Sequence, residues 1–112
     1  MSAESQYRDF SNPGTLTKGI EGATIASAAT IAPVKRQHFV SGTAEITLIT
    51  LPYDGFAGTI YFSPLGAFTG ATGGVATTLN KPVGLAFTAV TGKTLALTYF
   101  PSTGKWYPSY VS

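Results

Sequence analysis

The chain has 112 residues, no cysteine and a formal net charge of +2. That length suits one domain with a single core, and the missing thiols exclude disulfides, thiolate metal sites and cysteine nucleophiles. Charged residues make up only 11% of the chain, well under the roughly 25% of ordinary globular domains, and so small a net charge excludes a phosphate-tracking surface.

Residues 1 to 22 are polar and lack a sustained apolar period, and Ser11-Asn12-Pro13-Gly14 is a strong breaker. Tyr7, Phe10, Leu16 and Ile20 are spaced through this segment. It reads as an extended N-terminal arm that orders when it lies across a partner, with Tyr7, Arg8 and Phe10 as candidate contacts to that partner. Met1 to Phe10 carries Glu4, Arg8 and Asp9 and no apolar stretch of a secretory leader. No later run approaches the ~20 apolar residues of a membrane-spanning helix. The expectation is a protein made in a cytoplasm, with neither membrane nor nucleic acid as partner.

From Ala23 to Ser112 the reading is all-β, a compact antiparallel β-sandwich or barrel-like domain. Thr24-Ile25 and Ala29-Thr30-Ile31 flank a small-residue stretch, and Pro33 ends the run. Gln37 to Val40 makes the next short strand. Ile46 to Leu51 follows, with Ile46 and Leu48 on one face and Ile49 and Leu51 on the other. Apolar residues on both faces mark a central strand covered on both sides, and Ile49 and Leu51 are the candidate intersubunit contacts. Thr59 to Phe62 is a strand closed by Pro64, and Ala67 to Thr69 a shorter one.

Val75, Thr77 and Leu79 alternate as an inward row, Asn80-Lys81-Pro82 reads as a turn, and Val83, Leu85 and Phe87 alternate again. Thr91-Gly92-Lys93 turns the chain into a strand over Thr94 to Phe100. Pro101 to Lys105 is a hairpin loop that lets Trp106 and Tyr107 pair back. The core expected from this pattern is Ile31, Phe39, Ile46, Leu48, Ile60, Phe62, Val75, Leu85, Phe87, Leu95, Leu97 and Trp106.

Chemistry is thin along this chain. His38 is the only histidine, and one imidazole without thiolates does not build a multi-histidine metal site. Its place in a β-run suggests a structural role. Glu45 and Asp54 are the only acids after Glu21. They flank opposite ends of one run, roughly 25–30 Å apart at ~3.3 Å per residue, too far for a glycosidase pair. Thr91-Gly92-Lys93-Thr94 resembles the end of a phosphate loop, but Phe87 stands where the first glycine belongs and a strand follows instead of a helix. No catalytic, cofactor or metal residues are expected, and the protein reads as a non-enzyme. Tyr53, Tyr61, Trp106, Tyr107 and Tyr110 remain, either as packing residues or as rings that stack on sugars.

Three segments together carry a resemblance. They are Ala23-Thr24-Ile25-Ala26-Ser27-Ala28-Ala29-Thr30-Ile31, then His38 to Ile49, then Gly92 to Tyr99 running into Gly104-Lys105-Trp106-Tyr107. Their order over residues 23–107 resembles the small β-domains of tailed-phage virion proteins, both head-decoration (cement) proteins and tail-fibre modules. The final hairpin departs from that pattern: Phe100 to Gly104 is longer than the Asp-Gly turn common there.

The resemblance implies a bacteriophage structural protein on the capsid exterior, often a homotrimer, with the major capsid protein and its own copies as partners. A single domain with an arm favours a cement protein over a fibre, which needs attachment, shaft and tip regions. The alternative is a tail-fibre, receptor-binding or carbohydrate-binding module, for which a glycan would be the partner.

Overall fold

A computed structural model describes residues 21–110, and all ten of their regular elements are strands. The strands are β1 (Ile25–Ala26), β2 (Thr30–Ile31), β3 (Gln37–Ser41), β4 (Leu48–Thr50), β5 (Gly58–Pro64), β6 (Thr69–Gly70), β7 (Asn80–Pro82), β8 (Phe87–Thr88), β9 (Leu95–Phe100) and β10 (Lys105–Tyr110). The all-β expectation therefore holds for these residues. The arm expected over 1–22 lies outside the described residues, apart from Glu21 and Gly22.

Five strands form one sheet in the order β1-β3-β5-β9-β10, three form a second in the order β2-β4-β7, and β6 pairs with β8. The first five strands alternate between the two larger sheets. Each returns to its own sheet parallel to the strand before it: β3 beside β1, β4 beside β2, β5 beside β3. This winding needs no helical crossover, because the opposite sheet supplies the return path. From β5 onward the pairing is antiparallel, β5 with β9 and β9 with β10. The architecture is thus an all-β fold of two larger sheets and one small one, with three parallel pairings where antiparallel ones were expected. Short turns signal hairpins, but nothing local in sequence marks a parallel return through another sheet.

The two large sheets meet at one side. Val83, just after β7, bridges to Trp106 in β10, and Gly84 donates its N–H to the Trp106 carbonyl at 2.7 Å. The Trp106 indole Nε1 donates to the Ile49 carbonyl at 3.1 Å, tying the five-stranded sheet to β4 through the core. This partial closure gives the domain its barrel-like character.

The inward row of the five-stranded sheet is Val40, Ile60, Phe62, Leu95, Leu97, Tyr99 and Trp106, all buried. Ile31, Ile46, Ile49, Leu51, Phe68, Val83, Phe87 and Ala89 complete the core from the other strands and loops.

Several expected core positions fall elsewhere. Phe39 points outward, because β3 buries His38 and Val40. Leu48 is half-buried. Val75 is 81% exposed and Leu85 is also exposed, both on irregular segments. Asn80-Lys81-Pro82 is a strand paired with β4, not a turn. The turn comes three residues earlier: Thr77 donates to the Asn80 carbonyl at 2.9 Å, and the Thr77 hydroxyl accepts the Asn80 N–H at 3.1 Å. Pro82 is tolerated because β7 is an edge strand.

Candidate interaction surface

Strand alternation puts one set of side chains of the five-stranded sheet in the core and the other set outside. The outward set is Gln37, Phe39 and Ser41 on β3, Thr59, Tyr61 and Ser63 on β5, Ala96, Thr98 and Phe100 on β9, and Lys105, Tyr107 and Ser109 on β10. Their neighbours are fixed by register: Tyr61 stands between Gln37 and Ala96, and Thr98 between Thr59 and Tyr107. Lys105 is the only charged residue in this set, and Glu21, bridged to Gln37, borders it at the β3 edge. The Thr59 and Thr98 hydroxyls hydrogen-bond each other at 2.8 Å, and Phe100 meets Tyr107 edge to face at 5.6 Å between ring centroids. The face is therefore mainly an array of hydroxyls, aromatic rings and methyl groups.

Two depressions flank Tyr61. The smaller, about 360 Å³, is lined by Glu21, Gln37, Phe39, Tyr61, Ser63 and Thr94, with His38 and Phe62 beneath. The larger is an open groove of about 860 Å³ at the start of β5. One side carries Val34, Lys35 and Arg36, the other Pro52, Tyr53 and Phe56, and the floor is Gly58 to Tyr61.

Both walls of the groove are braced from inside. His38 is 3% exposed. Its Nε2 accepts the backbone N–H groups of Val34 at 3.1 Å and Lys35 at 3.0 Å, so the ring proton sits on Nδ1 and is donated to the Ala23 carbonyl at 2.8 Å. The Arg36 carbonyl accepts the Tyr61 N–H at 2.8 Å. On the opposite wall, Tyr53 is 61% exposed and meets Phe56 edge to face at 5.6 Å. Phe56 stacks on the buried Trp106 at 5.8 Å, and Trp106 packs on Tyr99 at 5.4 Å. A run of rings thus leads from the core to the groove.

The residues singled out in sequence fall into three groups. Tyr7, Arg8 and Phe10 lie outside the described residues. Ile49 and Leu51 are 0% and 5% exposed within the single chain, so the intersubunit role expected of them has no accessible side chain to act through. Among the aromatics, Trp106 is a core residue with its N–H satisfied internally, which removes it as a sugar platform. Tyr53, Tyr61, Tyr107 and Tyr110 keep accessible surface, and Lys93 sits 4.9 Å over the Tyr110 ring. Lys35 and Arg36 carry no sequence signal for this groove, because they share it with Tyr53 only through the folding together of distant segments.

Among the described residues, no group of three or more His, Cys, Asp or Glu side chains is placed to hold a metal ion. Comparison with family models, curated proteins and solved structures finds no match to this chain.

Proposed function

We propose that the chain is a bacteriophage virion structural protein, a head-decoration (cement) protein that binds the outside of the assembled capsid and stabilises it. The observation that carries this reading is the outward face of the five-stranded sheet, where twelve alternating positions hold one charged residue. Such a face loses little on desolvation and gains from contact with a protein surface of similar character. The resemblance over residues 23–107 to small phage virion β-domains supplies the viral context. Tyr7, Arg8 and Phe10 would add a second hold on the capsid protein or a neighbouring copy, and self-association into a homotrimer would multiply the contacts.

Stabilisation follows from mass action, since a ligand of the assembled shell alone shifts the equilibrium toward that shell. The test is to add purified protein to undecorated expanded capsids of the phage that encodes it. Saturable co-sedimentation and a higher temperature of capsid disruption are the expected outcomes. Absence of both would overturn the reading.

A receptor-binding or carbohydrate-binding module, such as a tail fibre carries, is the second reading. The exposed ring of Tyr53 on the groove wall favours it. In that case glycan binding would appear without any effect on capsid disruption.

A further inference from the structure

The groove at the start of β5 has features that docking onto a protein lattice does not require. We propose that it is a binding site for an anionic saccharide, a glycan whose sugar rings bear carboxylates. The inference deepens the carbohydrate-binding reading and rests on it; capsid co-sedimentation and polysaccharide retardation are separate readouts, so the failure of either proposal is distinguishable from that of the other.

Three observations support it. Charge comes first: Lys35 and Arg36 line the groove and no carboxylate does, so the site is complementary to an anion. An Arg guanidinium matches a carboxylate with two parallel hydrogen bonds. The second is the ring of Tyr53, mostly accessible and facing the same space. An exposed aromatic face offers an apolar platform to the C–H side of a sugar ring, and Thr59 and Tyr61 are among the residues lining the same groove.

The third is rigidity. The backbone that carries the two cations is pinned by His38 and by the Tyr61 N–H, and Tyr53 is backed by Phe56 and Trp106. A braced backbone and a backed ring lose less freedom on binding than a loop free to move. A site built this way suits a ligand that itself gains little from folding onto the surface.

An acidic polypeptide would satisfy the charge but has a poorer fit. The floor strand β5 lies between β3 and β9 and is already paired on both sides. An extended peptide therefore cannot add to it as a strand.

The experiment is affinity electrophoresis of the full chain through gels containing polygalacturonate, alginate or neutral dextran at physiological salt. At least one acidic polysaccharide should retard the wild type, and dextran should not. Tyr53→Ala and the double variant Lys35→Ala/Arg36→Ala should each weaken retardation by about tenfold or more, a loss of at least ~1.4 kcal/mol. Tyr53→Trp should keep it, as should Lys93→Ala/Lys105→Ala, which removes equal charge elsewhere. Urea melts verify folding, and Arg36→Gln alone provides an independent reading should a variant unfold. The inference is overturned if neither acidic polysaccharide retards the wild type. It is equally overturned if Tyr53→Ala is retarded as strongly, which is bare charge attraction, or if polyglutamate competes as well as the saccharide, which is an acidic protein site.

Discussion

His38 illustrates how a polar side chain can outrank an apolar one for a place in the core. Its ring satisfies two backbone N–H groups and one carbonyl, so burial leaves no unmet polar atom. Replacing it with Ala strands all three partners and should destabilise the domain by about 3 kcal/mol, read as a lowered urea midpoint with unchanged slope. Gly22 belongs to the same arrangement, because a Cβ there would overlap the imidazole. Trp106→Phe keeps most of the packing but loses the indole hydrogen bond to the Ile49 carbonyl, and about 1 kcal/mol is the expected loss in the same assay. The structural role of His38 was legible from its single occurrence in a β-run. That it would displace Phe39 from the core was not. Hydrophobicity alone ranks Phe above His, and the decisive partners at Ala23, Val34 and Lys35 meet the ring only in the folded chain.

At the level of elements, the run Ile46 to Leu51 shows why apolar residues on both parities need not mean burial on both faces. Thr47 and Leu48 both donate their N–H to the Ala29 carbonyl, each at 2.9 Å. Two successive donors on one acceptor mark a β-bulge, which shifts the alternation by one residue. Ile46 before it and Ile49 after it then both face the core. The pattern was visible in sequence, but a bulge and a two-sided strand share that pattern. The last hairpin was legible in its position, with Pro101 to Gly104 as turn residues after an alternating strand, but the returning strand extends from Lys105 to Tyr110, beyond the Trp106-Tyr107 pair expected. Residues 75–82 were not legible, since Val75, Thr77 and Leu79 alternate by chance along an exposed loop, while Asn80 to Pro82 carry turn residues in a paired edge strand. A matched pair of substitutions separates the two descriptions. Val75→Asp should change stability by less than about 0.5 kcal/mol, whereas Val83→Asp places an unpaired charge in the core and should cost about 3–5 kcal/mol. Comparable losses at both positions in thermal melts would contradict the assignment.

Over the whole molecule, the chain winds twice between the two larger sheets, closes one side at Val83 and Trp106, and leaves the outer face of the five-stranded sheet with Lys105 and, at its β3 edge, Glu21 as its charged residues. The shortage of charge in the sequence pointed to that face without saying which strands compose it. Strand order fixes the composition, and the parallel returns that set the order have no local signature. The central claim is that this face docks on protein. Thr98→Lys and Ser63→Glu place charge on it at half-exposed positions outside the core, so both variants should fold. The most direct measurement is quantitative co-sedimentation of wild type and these two variants with undecorated expanded capsids. The account expects saturable binding of the wild type and at least about tenfold weaker binding of each variant. Equal binding by all three proteins, or none by the wild type, would contradict it.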